Sequence, residues 1–370
     1  MRRDTLKKHL LSTSAIALGV AMAAPATAQQ WDMNWGGFYS AHVGYADVGG
    51  TITNPAGTDF DGVNVFTTGE IIFSPSVTLD NGMTFGINVQ YEAHTNTGGV
   101  DESYLSISSD TLGRIDIGNE NSAGYKSMIG APTVTSMWIN SPSASAFIPR
   151  TGVNTFRQAA LSSYTEVAGN NDVERISYYT PDFNGLTVGV SYARTANAGQ
   201  NVSHNYNINK GAATVADVFD IGASYSQSFG DSSVTLGARY GTGDSNVGGI
   251  SDPETWGIGG QFSFAGFTLG ASYTENDNGA PTGVGDQEGW SLGMTYDVTG
   301  PWSVEALTYQ GTIEAGAVDS DYEAYKVGAS RDLGPGVDWD VYFVYQDTNN
   351  GATGATADGS LIGTAINLSF

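Results

Sequence analysis

The chain has 370 residues, 50 of them glycine and 19 tyrosine, and 38 Asp and Glu against 14 Lys and Arg give a net charge of −24. That acidity excludes a nucleic-acid partner, because phosphates are held by Lys and Arg, and the absence of cysteine excludes disulfides, thiolate catalysis and Cys-bound zinc. Beyond residue 28 no run approaches the roughly 20 apolar residues of a spanning helix, so any membrane role calls for strands closed into a barrel.

The first element is an export signal. Arg2, Arg3, Lys7 and Lys8 precede an apolar run from Ala15 to Ala24, and Ala26-Thr27-Ala28 supplies the small residues of a cleavage site. The expectation is a signal peptide over 1–28 and a single domain over 29–370.

From there the chain alternates with period two, which sends neighbouring side chains to opposite faces of a sheet. Phe85, Ile87, Val89 and Tyr91 alternate with Thr84, Gly86, Asn88 and Gln90; Phe267, Leu269, Ala271 and Tyr273 do the same with Thr268, Gly270, Ser272 and Thr274. The segments led by Val234, Trp290 and Trp339 repeat the pattern. Short turns stand at Asp80-Asn81-Gly82, Asp110 to Gly113, Asp182 to Gly185, Gly230-Asp231, around Gly266, at Thr299-Gly300-Pro301 and at Gly334-Pro335-Gly336. Long polar connections lie near 48–68, 95–100, 120–172, 196–216, 243–254, 276–287, 312–321 and 347–359. Seven short and eight long connections in alternation predict sixteen strands, with both ends of the sheet on the short-turn side.

The final segment carries Ile362, Ile366, Leu368 and Phe370 on one face. Pairing it with the first strand would remove both open edges and close a barrel. Aromatic placement agrees: Tyr91, Tyr192, Tyr240, Tyr273 and Tyr345 sit near the long-loop ends of rising strands, and Phe85, Phe267, Trp302, Trp339 and Phe370 near the short-turn ends. Two girdles bracketing an apolar band are what two lipid interfaces favour. The predicted fold is an all-β, 16-stranded antiparallel transmembrane barrel.

Two stretches carry a family resemblance. Arg114-Ile115-Asp116-Ile117-Gly118-Asn119-Glu120 leads into the longest connection, and Arg175-Ile176-Ser177-Tyr178-Tyr179-Thr180-Pro181-Asp182-Phe183-Asn184-Gly185 through Tyr192 follows it. With Phe370 at the end, the chain resembles Gram-negative general porins, especially the alphaproteobacterial branch. The resemblance implies a homotrimer of water-filled barrels in the outer membrane, passive diffusion of ions and small hydrophilic solutes, an inward-folded third long loop, and a terminal aromatic read by the barrel-assembly machinery. The loop's own residues fit: Met128, Ile129, Met137, Trp138, Ile139 and Phe147 give it material to pack against a wall. An outward loop covering the barrel mouth is the alternative.

Polar-face parity sends His42, Glu70, Glu92, His94, Glu102, Arg114, Asp116, Arg175, Asp220, Arg239, Asp297, Glu305, Lys326, Asp338 and Asp340 into the lumen. The resemblance implies acidic loop residues facing a basic wall across a constriction. The loop offers Glu120, Glu166 and Asp172; Arg114, Arg175, Arg239 and Lys326 are the wall candidates, with His42 and Glu70 on the early strands. The excess of carboxylates predicts cation preference. Catalysis finds no footing, because His42 and His94 point inward, His204 lies in a polar loop, and no nucleophile motif adjoins any of them.

Asp319, Asp321 and Glu323, and likewise Asp277, Asp286 and Glu288, are oxygen-rich enough for calcium but lack the spacing of a calcium-binding loop. Divalent ions bridging such loops to outer-membrane lipid head groups would be their functional version. Two other readings of the barrel remain open. A substrate-specific channel would need more inward aromatics than Tyr179 and Tyr342, and a plugged structural or adhesive barrel would not conduct.

Overall fold

The computed structural model describes residues 30–370 apart from 54, 94–98, 140–141, 152–166, 168–170, 197–213, 281–284 and 315. The signal-peptide expectation, His94, Glu166 and His204 therefore fall outside the described residues.

Seventeen strands form one antiparallel sheet. In chain order they are β1 (Trp35–Gly50), β2 (Gly62–Phe73), β3 (Ser76–Thr78), β4 (Thr84–Glu92), β5 (Val100–Ser109) and β6 (Gly113–Glu120). After the longest connection come β7 (Val173–Tyr179), β8 (Leu186–Thr195), β9 (Val215–Phe229), β10 (Ser232–Ser245), β11 (Glu254–Phe264) and β12 (Phe267–Asp277). The sheet ends with β13 (Gln287–Asp297), β14 (Trp302–Ile313), β15 (Ser320–Gly334), β16 (Val337–Asn350) and β17 (Ala355–Ser369).

Apart from β2 and β3, each strand pairs with its sequence neighbours, and β17 returns to β1 over a register from Phe38 opposite Ser369 to Gly50 opposite Ala357. The sheet is a closed barrel. β2 and β3 both pair with β4, through Glu70 to Phe73 and Ser76 to Thr78, so they are two halves of one stave and the barrel has the sixteen staves predicted. Pro75 breaks that stave, since it has no N–H to give the ladder, yet its carbonyl still accepts from the Ile87 amide at 3.2 Å.

All seven short turns fall where the sequence places them. Two long connections do not. β2 begins at Gly62, inside the expected loop 48–68, and the expected loop 347–359 shrinks to four residues because β16 and β17 run to Asn350 and from Ala355. Here polar side chains ride on strands that continue to pair, with Asp347 opposite Asp358 and Thr348 opposite Ala357. Polarity marked where the side chains meet water, not where the backbone ladder stops.

The outer face is apolar, as the alternation requires. Ile87, Leu236, Ile258, Leu269, Leu292, Val327 and Ile362 are all exposed on it. Rings meet along both girdles: on the short-turn side Trp302 of β14 reaches across β15 to Trp339 of β16 at 5.7 Å and Phe267 stacks on Tyr296 of the next strand at 4.2 Å, and on the other side Trp256 meets Tyr273 at 5.4 Å. In water such a surface would aggregate; in lipid it is solvated.

Phe370 completes the seam. Its amide donates to the Gly37 carbonyl at 3.2 Å and its carbonyl accepts from the Gly37 amide at 3.1 Å, while the ring is 70% exposed on the outer face. Deleting Phe370 should lower the heat-modifiable, folded fraction on gel electrophoresis yet leave unchanged the single-channel conductance of the barrels that do fold. Normal folding with altered conductance would contradict the outward register of β17.

Candidate functional site

The barrel interior is built by the inward parity of every stave, and two very different environments share it. On β7 to β17 and β1 many inward side chains are almost fully buried: His42, Ser177, Ser191, Asp220, Arg239, Glu305, Lys326, Asp340 and Gln346 are at most 5% exposed. On β2 and β4 the corresponding Glu70, Asn88, Gln90 and Glu92 keep part of their surface open. The difference is the segment after β6, which lies against the first group and leaves the second uncovered.

That segment can be followed contact by contact. A single helical turn, Ala123–Lys126, is capped by the Ser122 hydroxyl, which accepts from the Tyr125 amide at 3.0 Å. Its Ala123 amide donates to Ser191 of β8 at 3.1 Å. Gly130 then accepts from Gln261 of β11 at 2.9 Å, and the Ala131 amide donates to Ser291 of β13 at 3.1 Å. Thr133 to Thr135 wrap the Glu305 carboxylate of β14; the Val134 amide donates to it at 2.6 Å and the Thr133 hydroxyl at 2.7 Å. The Ser136 amide and hydroxyl donate to Asp340 of β16 at 2.8 and 2.9 Å. Tyr322 of β15 donates to the Ile139 carbonyl, Asn64 of β2 to that of Ala146, and Asn350 of β16 to that of Thr151. The chain thus travels along the inner wall from β8 round to β2.

Glycine makes the close approach possible. At the inward positions beneath this path stand Gly222, Gly237, Gly257, Gly259, Gly270 and Gly293. A Cβ at Gly259 would stand 1.8 Å from the Ile129 carbonyl oxygen, and one at Gly237 2.2 Å from that of Ser127. Any larger residue there would lift the segment off the wall. Apolar contacts fill the rest: Met137, Ile139, Phe147 and Ile148 form one buried cluster with Tyr309, Tyr322, Tyr342, Val344 and Leu361 of the wall. Of the six apolar loop residues expected to pack, Met128, Met137, Ile139 and Phe147 are buried, whereas Trp138 is 50% exposed.

The candidate site residues separate accordingly. Lys326 lies behind the loop, with no side-chain exposure, 2.9 Å from Glu305 and donating to Thr133, Thr135 and the Met137 carbonyl at 2.7 to 3.1 Å. Arg239 is paired with Asp220, both sealed beneath the helical turn, where a Cβ on Gly124 would collide with the pair. Neither faces open space. Arg175 is 4% exposed. Arg114 alone among the four basic wall candidates keeps an open side chain, 45% exposed; it pairs with Asp116 at 3.1 Å and lies over the Tyr179 ring at 4.5 Å.

Glu120 is buried and held by Lys126 at 2.5 Å and by the Ser177 hydroxyl at 2.6 Å, and Asp172 is buried at the start of β7 with Asn171 donating to it at 2.7 Å. His42 is fully buried, 3.0 Å from the Tyr342 hydroxyl and packed beside Phe66. Between 121 and 151 the described part of the loop carries Lys126 and Arg150, and the loop's described carboxylates, Glu120 and Asp172, stand buried at its two ends.

The carboxylates gather instead on the uncovered wall. Oxygens of Glu70, Glu92 and Asp101 all lie within 4.8 Å of one another, in a group the sequence did not single out. The cross-strand register of β2 and β4 sets Glu70 opposite Glu92, and the irregularity between Val89 and Tyr91 brings in Asp101. The calcium candidates are not so arranged. Asp321 accepts from Thr312 and Asn349, both at 2.9 Å, Glu323 accepts from Tyr325 on the outer face at 3.3 Å, and Asp319 is exposed ahead of β15.

Sequence parity also undercounted the inward aromatics. Tyr309 shares the parity of Glu305 and Tyr322 that of Lys326, and both are buried in the wall, at 1% and 4% exposure. With Phe66 they serve the loop's seat rather than a solute track.

A family model described as Gram-negative porin matches residues 12–353. No curated protein matches the sequence. Solved structures do. The anion-selective porin from Comamonas acidovorans is 18% identical with a TM-score of 0.60, over 92% of this chain and 100% of that one. OmpT of Vibrio cholerae, in a form described as trimeric, is 13% identical with a TM-score of 0.61, over 92% and 99%. A mutant porin of Rh. blastica is 18% identical with a TM-score of 0.55, over 92% and 100%. At these identities the structures speak for the fold alone.

The Glu305 and Lys326 pair gives a direct test of the seat. Removing one partner strands a buried charge, which costs about 3–5 kcal/mol, whereas replacing both by apolar residues is often neutral. Lys326→Met should lower the thermal unfolding temperature and raise single-channel conductance as the loop loosens, and Glu305→Leu added to it should recover most of the lost stability. Equal stability of the single variant and the wild type would mean that the loop is held elsewhere.

Proposed function

The chain belongs to the Gram-negative porin family, whose barrels are outer-membrane channels for passive diffusion, and from that premise we propose a cation-preferring channel whose selectivity is set by the uncovered wall. The carrying observation is the Glu70, Glu92 and Asp101 cluster, partly open and facing the lumen. Clustered carboxylates concentrate cations and repel anions at the level they occupy. Three of the basic candidates cannot offset them, because Lys326 and Arg239 are matched by Glu305 and Asp220 beneath the loop and Arg175 is buried. The anion-selective Comamonas channel shares the fold; the wall charges, not the fold, carry the sign.

The same reading takes the loop segment as the element that narrows the lumen, three barrels as the assembled unit, and the exposed Phe370 as the handle for the barrel-assembly machinery. No catalytic step belongs to it. Calcium enters as a bridge between rim carboxylates such as Asp319 and anionic lipid head groups.

Purified protein in planar bilayers should show stepwise ohmic conductance, and reversal potentials in a potassium chloride gradient should favour potassium. The preference should weaken at high ionic strength, where the screening length falls from about 10 Å at 0.1 M to about 3 Å at 1 M. The triple substitution Glu70→Gln, Glu92→Gln, Asp101→Asn should move the reversal potential toward zero. Anion preference in the wild type, or no change in the triple variant, would overturn the assignment; a folded barrel that never conducts would overturn the channel itself.

A further inference from the structure

One titratable side chain beneath the loop has an unfinished set of hydrogen bonds. His42 of β1 is 0% exposed, with Phe66 of β2 beside it and Phe147 of the loop packed against Gly44, the next inward position on β1. Its Nδ1 lies 3.0 Å from the Tyr342 hydroxyl, whose ring crosses over Gly363 of β17. Among the described residues its Nε2 has no partner. The register sets His42, Ala365 of β17 and Asp340 of β16 on one rung, so the small Ala365 separates the imidazole from the carboxylate. Phe66, Phe147 and Ala365 thus face the ring without charge, Tyr342 with a phenol and Asp340 with a carboxylate. That carboxylate is engaged with the loop. Its Oδ2 accepts from the Ser136 amide and hydroxyl and from Asn367 at 2.7 to 2.9 Å, while its Oδ1 is unpartnered.

We propose that His42 is a proton-operated release for the loop, which leaves the wall when the imidazole takes up a proton. An imidazolium has two N–H donors to satisfy. The seated loop offers the Tyr342 hydroxyl to one and nothing to the other, and a charge held without partners among apolar groups is costly. Water reaches Nε2 when Phe147 moves off, and Asp340 reaches it by turning away from Ser136. Both routes undo contacts that seat the loop. Once the loop lifts, the ring is hydrated and titrates at about 6.5. The lifted state then binds the extra proton, the seated state does not, and falling pH favours release.

The readout rests on the channel reading above, so a second measurement does without conduction. In single-channel records from about pH 7 to about pH 4.5 the lifted loop should appear as a second conductance level, its occupancy relative to the main level rising by close to tenfold per pH unit below about 6. His42→Gln, polar but without a titration in this range, should flatten that rise. The wall variant Glu70→Gln, Glu92→Gln, Asp101→Asn should keep it, which separates the histidine from the carboxylates that also titrate in acid. Ala144 is 0% exposed in the seat, so the thiol of Ala144→Cys should react with a dithiodipyridine, a reagent that works in acid, with the same pH dependence and the same loss of it in His42→Gln. A loop indifferent to pH in both measurements, or a response equal in His42→Gln, would overturn the proposal and leave the channel standing. Labelling as expected in a barrel that never conducts would overturn the channel reading alone.

Discussion

Every backbone N–H and C=O at the depth of the lipid has to be paired within the protein, because hydrocarbon offers no partner and each orphan would cost several kcal/mol. The pairing of β1 with β17 meets that demand by leaving the sheet no edge at this seam. Closure then fixes the two faces. Side chains of one parity must suit lipid, and those of the other are forced into an interior that can hold charge only if it is wet or paired. Both solutions occur here, on opposite sides of one lumen.

The buried half resembles a protein core more than a channel wall. Glycines let a backbone lie against the strands, tyrosines and aliphatic side chains fill the space between, and the buried charges are matched as Arg239 with Asp220 and Lys326 with Glu305. Such pairs contribute little net stability over an apolar core, yet they are costly to break singly. Their consequence is positional: a wrapped Glu305 accepts from the hydroxyl and amide groups of successive loop residues and so sets the register of the loop on the wall. The open half is what remains for solutes, and among the described residues it carries the partly exposed Glu70, Glu92 and Asp101.

Much of this was legible in the sequence. Period-two alternation, seven turn signals and the aromatic ends defined the staves and their direction, because each depends on a local rule. What failed were the properties that depend on a neighbour distant in sequence. The strand ends at Asn350 and Gly62 were hidden because polar residues still pair above the lipid band. Lys326 and Arg239 read as wall cations, since parity places a side chain inside but says nothing of what covers it there. Tyr309 and Tyr322 were available from parity with Glu305 and Lys326. Asp101 joins its cluster only through an irregularity in the β4 and β5 register, which no pattern of residues announced.

If the loop rests on the wall during conduction, the passage runs along the uncovered strands and a covalent tie between loop and wall leaves it open. The chain has no cysteine, so a single engineered pair can be read without background. Ser136 and Asp340 meet with 2.9 Å between hydroxyl and carboxylate oxygens, and Ser136→Cys with Asp340→Cys can be oxidised while one channel is recorded. The disulfide should form in the folded protein, and conductance should be the same before and after oxidation and reduction. Failure to cross-link, or a channel that closes when the loop is fastened to the wall, would contradict it.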